Sequence, residues 1–391
     1  MHCVNTFLTE QRPPEKHLVD RLREEALRLG FSRIGIAPAI SPVRHDTFRK
    51  WLDQGYAGVM HQWLTRHEPL RADPASLLAN CQSIISLATD YASTDPLPPA
   101  PGQGRVSRYA WSEDYHDLLR SRLMAMERWL HTAAPGCHTR GVVDSAPLAE
   151  RDHAWMAGLG WIGKNTMLID PDAGSWFFLS SLLTDLVLPF DSPLKVDHCG
   201  TCTACLDACP TGALPAPRLL DANRCISSLS IEDHGVVDES LRAGFGQWIF
   251  GCDICQDVCP WNRHAPTNPI AEFLPNPGMN PVELESILSL NAADFRLRFS
   301  DTPLARAKRR GLLRSAAIAL GNAPVESLAP LLINLLDDAE PVIRGAAAWA
   351  LGRFLVADIG RGIATAALVS HQKTESDPAV QTELLSALKP S

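Results

Sequence analysis

The sequence lacks any long hydrophobic run: nothing in its 391 residues approaches the roughly 20 apolar residues of a membrane helix. Residues 1–16 have neither the apolar core of a secretory signal nor a twin-arginine pair. Positive charge is also scarce, because 44 acidic side chains outnumber 36 Lys and Arg and leave a net charge of −8. We therefore expect a cytoplasmic protein without membrane contact, in which nucleic acid can be bound only by a local basic patch.

Cysteine is the residue type that stands out. Eight of the eleven cysteines lie between residues 199 and 260, in the runs CGTCTACLDACP and CDICQDVCP with one cysteine between them. The first run has the C-x2-C-x2-C-x3-C-P spacing of ferredoxins with two 4Fe–4S clusters, in which the cysteine before proline ligates the other cluster. The spacing predicts one cluster on Cys199, Cys202, Cys205 and Cys259, and a second on Cys209, Cys225, Cys252 and Cys255.

Two other uses of these cysteines fit the pattern less well. Disulfides need an oxidising compartment, for which the N-terminus carries no export signal. Zinc usually takes separated C-x2-C pairs. The remaining Cys3, Cys81 and Cys137 are interpreted as ordinary thiols. A large insertion, residues 226–251, separates Cys225 from Cys252, and an electron store alone would need neither it nor the long region in front.

That front region, residues 1–190, predicts an α/β (α+β) domain. Helix-forming residues 16–30 end at Gly30, and CQSIISLATDYA has the composition of a buried strand. Strands alternate with helices along this region, which is typical of an α/β layer fold. Residues 145–160 predict a helix with Ser145 as a possible N-cap, directly after Asp144 at a strand end.

The C-terminal part predicts stacked helices. We expect a two-cluster domain over residues 191–265. The rest of the chain, residues 266–391, consists of a proline-rich connector followed by a helical region. The triplet Ala-Leu-Gly at 319–321 recurs at 350–352, a shift of 31 residues, inside alanine-rich segments. Helix pairs that repeat at about this period are typical of HEAT-like repeats.

A basic segment begins the first of these helices. Clustered cations on an acidic protein favour a face that contacts phosphates, although each one alone would suit a solvated helix face. The cations are Arg306, Lys308, Arg309, Arg310 and Arg314.

Together these motifs resemble the epoxyqueuosine reductase family. The resemblance rests on the two cysteine runs, VDSAPLAER, GWIGKN, ISSLSIEDHG after Cys225 and the terminal helices, and covers roughly residues 15 to 388. It implies a cytosolic monomer that uses two 4Fe–4S clusters and cobalamin, cycling between cob(II)alamin and cob(I)alamin. It also implies the last step of queuosine biosynthesis: reduction of epoxyqueuosine to queuosine at the wobble position of tRNA with a GUN anticodon. A flavodoxin or ferredoxin system would supply the electrons.

The resemblance also assigns roles to individual residues. Asp144 matches the proton donor, and a desolvated carboxyl with a raised pKa would suit that role, whereas an N-cap aspartate is the alternative. His116 and His234 are weak candidates for a lower cobalt ligand, because the D-x-H-x-x-G run of base-off corrinoid proteins is missing. The residues expected to line the cobalamin pocket are Arg66, Ser107, Arg108, Tyr109, Asp144, Asn165, Thr166, Leu168, Ile169, Ser180, Ser228, Ile231, Asp233 and Asp253. Five cations, Arg306, Lys308, Arg309, Arg310 and Arg314, are expected to contact the tRNA.

Two competing functions remain open at this point. A corrinoid reductive dehalogenase would share cobalamin and two clusters, but those enzymes are typically exported and need no HEAT-like helices. An electron carrier or scaffold would hold two clusters and no corrinoid.

Overall fold

The computed structural model describes residues 14–267 and 270–389, so Cys3 and the expectations on the first residues lie outside it. The N-terminal helices are α1 (Pro14–Arg28), α2 (His45–Asp53), α3 (His61–Arg66), α4 (Glu68–Ala72), α5 (Tyr115–Ala133) and α6 (Glu150–Met156). The strands are β1 (Arg33–Pro38), β2 (Ser83–Asp90), β3 (Gln103–Val106), β4 (Thr139–Val142), β5 (Trp161–Ile162), β6 (Leu168–Ile169) and β7 (Phe177–Thr184).

The remaining elements follow in chain order. The cysteine-rich part holds α7 (Ala204–Asp207), α8 (Ile226–Ile231), α9 (Glu239–Arg242), β8 (Trp248–Phe250) and α10 (Ile254–Asp257). The C-terminal part holds β9 (Val282–Glu283), α11 (Leu284–Leu288), α12 (Ala292–Phe299), α13 (Lys308–Asn322), α14 (Ala329–Leu335), α15 (Pro341–Val356), α16 (Arg361–Gln372) and α17 (Pro378–Ala387). None of the helices in the described ranges combines the length and apolar character needed to cross a bilayer.

The central sheet of the N-terminal part has the strand order β1-β2-β7-β4. All eight residues of β2 are buried, as the apolar run predicted. One face packs on α1 and α5, whose Leu22 and Leu119 are fully buried, and α6 covers the other face. Every strand pair of this sheet is antiparallel, so α+β is the correct half of the predicted class. β2 and β4 both pair with β7 and therefore run in the same direction, so the connection through α5 crosses from one end of the sheet to the other.

The junction after β4 differs from the expected helix start. Residues 145–149 form turns, and α6 begins only at Glu150. The Ser145 hydroxyl donates to the carbonyl of Val143, 2.9 Å away, so it does not cap the helix. Asp144 has a φ of +26°, a left-handed conformation that few residues other than glycine adopt. The turn thereby lifts the Asp144 side chain out of the strand direction.

A short three-stranded sheet joins distant parts of the chain. β3 pairs in parallel with β8 of the insertion and antiparallel with β9. Apolar residues of the insertion, such as Phe245 and Phe250, share one core with Leu312 and Leu320 of α13. The insertion is therefore built into the C-terminal helices.

The repeated Ala-Leu-Gly triplets lie where helices pack closely. A Cβ at Gly321 would meet the Trp349 ring at 2.7 Å, and one at Gly352 would meet Ala387 at 2.9 Å. Glycine is thus required by close helix contact between α13, α15 and α17. The alanine-rich pattern predicted α13 and α15 well, whereas α16 was not predicted.

Candidate active site

A cleft with a cavity volume of about 580 Å³ lies between the sheet, the insertion and the cysteine-rich loops. This volume is within the roughly 300–1,000 Å³ of small-molecule and cofactor pockets, and the cleft is open to solvent on one side. Aromatic side chains form part of its wall, and hydroxyl, amide, carboxylate and guanidinium side chains line it as well. The aromatic lining residues are Trp51, Tyr91, Tyr109, Tyr115, Phe177 and Phe178. These walls suit one large, mostly apolar cofactor.

Four cysteines open onto this cleft, and we name them the inner quartet: Cys209, Cys225, Cys252 and Cys255. The other four, the outer quartet, are absent from its lining: Cys199, Cys202, Cys205 and Cys259. Burial raises the pKa of Cys225, and the charge of nearby Cys209 raises it further. Burial likewise raises the pKa of Cys259, to which Cys199 and Cys202 add. These interactions group Cys225 with Cys209, and Cys259 with Cys199 and Cys202, as two crossed sets would require.

The geometry of the thiols bears on what they can bind. All ten cysteines in the described ranges are free thiols. Within those ranges, no group of three or more His, Cys, Asp or Glu side chains is arranged to hold a single metal ion. A cubane spreads four thiolates over four irons, and a tetrahedral zinc site instead draws its thiolates to about 2.3 Å from one ion. Two separate quartets of free cysteines fit two cubanes.

Half of the residues expected around a cobalamin line the cleft. They are Ser107, Tyr109, Asn165, Thr166, Ser228, Ile231 and Asp253. The loop that follows Ser107 is tied to Asp253, because the Asp253 carboxylate accepts from the Arg108 backbone N–H at 2.8 Å. Burial raises the pKa of Asp253 to about 7, and Asp257 adds to it, against the hydrogen bond from Arg108.

The other half lie elsewhere, for identifiable reasons. Leu168 and Ile169 form a β-hairpin strand and are packed in the core, and Ser180 is buried within β7. The Arg108 guanidinium stacks on Trp176 and pairs with Asp257, outside the cleft. The residues absent from the cleft lining are Arg66, Arg108, Asp144, Leu168, Ile169, Ser180 and Asp233.

Several lining residues carried no usable signal in the sequence. Met60 and Leu64 reach the cleft from the segment between α2 and α4, and Arg151 reaches it from α6. The Arg151 guanidinium donates to the carbonyl of Thr166 at 2.6 Å, which fixes it against the wall of the cleft. Only the three-dimensional fold brings these distant segments to one wall.

Asp144 lies beside the cleft at the centre of a polar network. Tyr115, which lines the cleft, donates its hydroxyl to one Asp144 oxygen at 2.5 Å. The other Asp144 oxygen lies 2.6 Å from Nε2 of His116, whose Nδ1 lies 2.6 Å from Asp114. The Asp144 backbone N–H donates to Glu150 at 2.9 Å. With its side chain 51% exposed, Asp144 remains open to an incoming substrate.

The expected raised pKa at Asp144 is wrong for the free protein. Burial pushes the pKa of Asp144 up, but the hydrogen bonds from His116 and Tyr115 outweigh it and hold the pKa below its usual value. Burial pushes the pKa of His116 down, whereas Asp114 and Asp144 raise it to about 9. Burial and the charge of Asp144 raise the pKa of Glu150 to about 8. Near neutral pH the protons therefore reside on His116 and Glu150, beside an ionised Asp144.

The basic segment does not present five free cations. Arg314 is 1% exposed, and its guanidinium donates to the carbonyls of Leu229, Asp233 and Gly235 in the insertion. The expectation that Arg314 contacts phosphate is therefore wrong, because its donors are used inside the protein.

The other four cations of this segment lie nearer the surface. Arg309 pairs with Asp338. Arg306 is 59% exposed and pairs with Glu232 at the cleft wall. Lys308 is exposed, and Arg310 is partly exposed.

The two histidines considered as lower cobalt ligands, His116 and His234, do not line the cleft. His234 lies 3.0 Å from the Arg306 carbonyl oxygen.

Family profiles match three parts of the chain. The profile described as "Epoxyqueuosine reductase QueG, DUF1730" matches residues 71–145. A 4Fe-4S double cluster binding domain matches residues 198–262, and HEAT repeats match residues 304–389. The double-cluster and HEAT-repeat predictions are confirmed at this level.

Individual relatives are similar over most of their length. The epoxyqueuosine reductase of Xanthomonas campestris is 38% identical over 348 residues, 88% of this chain and 98% of the relative. That of Escherichia coli is 36% identical over 340 residues, 86% and 89% of the two chains. A crystal structure of epoxyqueuosine reductase with a tRNA-Tyr epoxyqueuosine-modified stem loop superposes with a TM-score of 0.87 at 31% identity, covering 95% and 98%. The Streptococcus thermophilus enzyme gives 0.82 at 28% identity, covering 94% and 98%.

Proposed function

The chain belongs to the epoxyqueuosine reductase family and reduces epoxyqueuosine to queuosine in tRNA; we propose that it does so with two 4Fe–4S clusters and a cobalamin held in the cleft. The observation that carries this proposal is the inner quartet opening onto a cleft of about 580 Å³ that is partly lined by aromatic side chains. An electron carrier would have no use for such a cleft beside its cluster ligands. Membership of this family also separates the chain from the reductive dehalogenases considered above.

The donor set suits a corrinoid. Ser107, Tyr109, Asn165 and Ser228 supply neutral hydroxyl and amide groups for the polar edge of a macrocycle, and the aromatic walls cover its faces. When bound, cobalamin supplies a reduced cobalt nucleophile for the epoxide-bearing ring. The inner quartet would hold the cluster nearest to it, and the outer quartet the cluster further away.

Removal of the epoxide oxygen consumes two electrons and two protons and releases water. We propose that Asp144 delivers a proton to the oxygen as the ring opens. In the free protein this proton resides on His116, 2.6 Å from the Asp144 carboxylate. A tRNA loop that covers the half-exposed Asp144 would remove water from it, which favours the neutral acid, and the proton would move from His116 to Asp144. Tyr115 meanwhile holds the carboxyl group of Asp144, and Glu150 holds its backbone N–H.

The tRNA backbone would pass along the exposed side of the basic segment. Arg306, Lys308 and Arg310 are exposed or partly exposed there, with Arg306 paired to Glu232 at the cleft wall and Arg310 paired to Glu340, and phosphates would compete with these carboxylates. An anticodon loop with a GUN sequence would then reach Asp144 while its phosphates contact these cations.

Single-turnover assays on the pre-reduced full chain test the role of Asp144. Asp144→Asn should lower the rate about 10²–10⁴-fold, the usual contribution of a general acid. Iron content and cobalamin binding should stay near wild type, because the side chain acts on substrate. Asp117→Asn, at an exposed aspartate paired with Arg120, is the matched control and should keep full activity. A wild-type rate in Asp144→Asn would eliminate this acid.

A further inference from the structure

The outer quartet lies beneath a surface that the reaction at the cleft does not use. We define this outer face by residues 195–203, Lys164, Arg218 and residues 261–264. Lys164 joins two of these segments, because its ammonium donates to the carbonyls of Gly200 and Cys202 at 2.7 and 2.8 Å. His198 packs between the rings of Trp161 and Trp261, at 4.8 and 5.3 Å. The segments therefore form one continuous, well-packed surface.

The ligands beneath this face are close to solvent. Cys202 and its neighbours Thr201 and Thr203 are exposed, whereas Cys225 and Cys255 of the inner quartet face the cleft. Aromatic rings and backbone turns cover only the flank of the outer quartet, where Cys259 packs on Trp161. A protein that approaches the outer face can thus bring its own redox group close to the outer quartet.

The outer face has the opposite charge to the rest of the protein. Its segments contain four cations, Lys164, Lys195, Arg218 and Arg263, and one carboxylate, Asp197. Asp197 is already paired with Arg218, and Asp207 at the edge accepts a hydrogen bond from Thr203. Lys195 and Arg263 are exposed and form no ion pair with any residue in the described ranges. A basic patch on a chain of net charge −8 favours an acidic partner.

We propose that the outer face is the docking surface for a small one-electron carrier protein whose own redox group is ringed by acidic side chains. This inference rests on the proposed clusters and names the partner that feeds them. Each encounter passes one electron: the carrier is oxidised by one electron, the outer cluster is reduced by one, and no atom is transferred. Lys195 and Arg263 steer the carrier, and Lys164 holds the cysteine loop in place beneath it.

Stopped-flow reduction of the clusters in the reconstituted full chain, without tRNA, tests the proposal. Reduced flavodoxin is the protein donor, and reduced methyl viologen, a small cation, is the comparison donor. Lys195→Glu/Arg263→Glu should slow reduction by flavodoxin about tenfold or more at low ionic strength, since steering contributes roughly 10–10³-fold. Viologen should reduce the variant at least as fast as the wild type. Lys373→Glu, an exposed charge reversal after α16, is the control and should change neither rate.

The outcomes separate the proposal from its alternatives. An unchanged flavodoxin rate in the double variant overturns it, as does a wild-type flavodoxin rate that is independent of salt. An equal loss with both donors also overturns the steering role of the two cations and assigns them to the structure of the loop. Because no tRNA is present, clusters that accept electrons in a chain that fails to convert epoxyqueuosine would refute the proposed function and leave the docking surface standing.

Discussion

The inner and outer quartets arise from one repeated cysteine spacing, yet they lie in opposite surroundings. The inner quartet lines an aromatic cleft, and two of its members flank an insertion that is built into the C-terminal helices. The outer quartet lies close to the surface, where Cys202 is exposed on the same face as Lys195 and Arg263. Two similar sets of cysteines thus differ in their surroundings, and this difference would give electron transfer a direction. Electrons would enter at the outer quartet and leave at the inner one.

The largest effect is expected from replacing one cysteine of each quartet by serine. Cys209 belongs to the first run in sequence but to the inner quartet in space. Cys209→Ser should lose roughly half of the iron, because each cubane needs four thiolates, and should lose turnover with every reductant. Cys202→Ser should damage the outer cluster instead and chiefly abolish turnover with flavodoxin. Iron counts and electron paramagnetic resonance of both variants would decide it; full iron and activity in Cys209→Ser would refute the crossed assignment.

The second test concerns what holds the inner quartet in place. Arg314 reaches from α13 to three carbonyls of the insertion between Cys225 and Cys252. Arg314→Met keeps much of the volume but leaves these buried carbonyls unpaired, which should destabilise the fold by about 3 kcal/mol or more, at about 1–3 kcal/mol per unsatisfied group. Lys308→Met on the same helix is exposed and should cost little. Denaturant unfolding and iron retention give the comparison.

If Arg314 stabilises the inner side in particular, iron should leave the inner quartet first in Arg314→Met. Equal loss of iron from both quartets would show that the guanidinium supports the fold as a whole.

The smallest expected effect is a difference in pH dependence between substrate turnover, which needs a proton, and reduction of the clusters, which does not. The pKa of His116 is raised to about 9, so its proton is retained through neutrality and lost as the pH rises through 9. Single-turnover rates should then fall about tenfold per pH unit above that value, while flavodoxin-driven cluster reduction should not. The contribution of the His116 ion pairs with Asp114 and Asp144 to the free energy of unfolding should be fully present below the ordinary histidine pKa of about 6.5 and should be lost as the pH rises through 9.

His116→Gln should remove this alkaline limb. A limb that persists unchanged in the variant would assign it to Glu150, whose pKa is raised to about 8.

Short-range patterns predicted much of this protein. The cysteine spacing predicted two quartets, the apolar run identified β2, and the alanine-rich repeats identified α13 and α15. Strand burial and helix formation depend on residues near one another in the sequence, and the spacing within each cysteine run is local as well.

What failed depended on contacts between distant segments. Charge alone could not show that Arg314 points inward while Lys308 points outward, because both belong to one basic run. The proton balance at Asp144 depends on His116, 28 residues away, and no spacing rule connects them. The alternation of helices with strands likewise did not reveal the antiparallel sheet, since strand direction depends on where each connection returns.

The strand β3 has a consequence for how the protein is made. Its four residues need β8 on one side and β9 on the other, and Gln103 meets Glu283 across 180 positions of the chain. Such distant pairings form slowly, since a long loop must close before the contact forms. On the ribosome, β3 must wait unpaired until both partners have emerged, and Cys252 emerges soon after β8. Completion of this small sheet and completion of the inner set of cysteines are thus late, neighbouring events in biosynthesis.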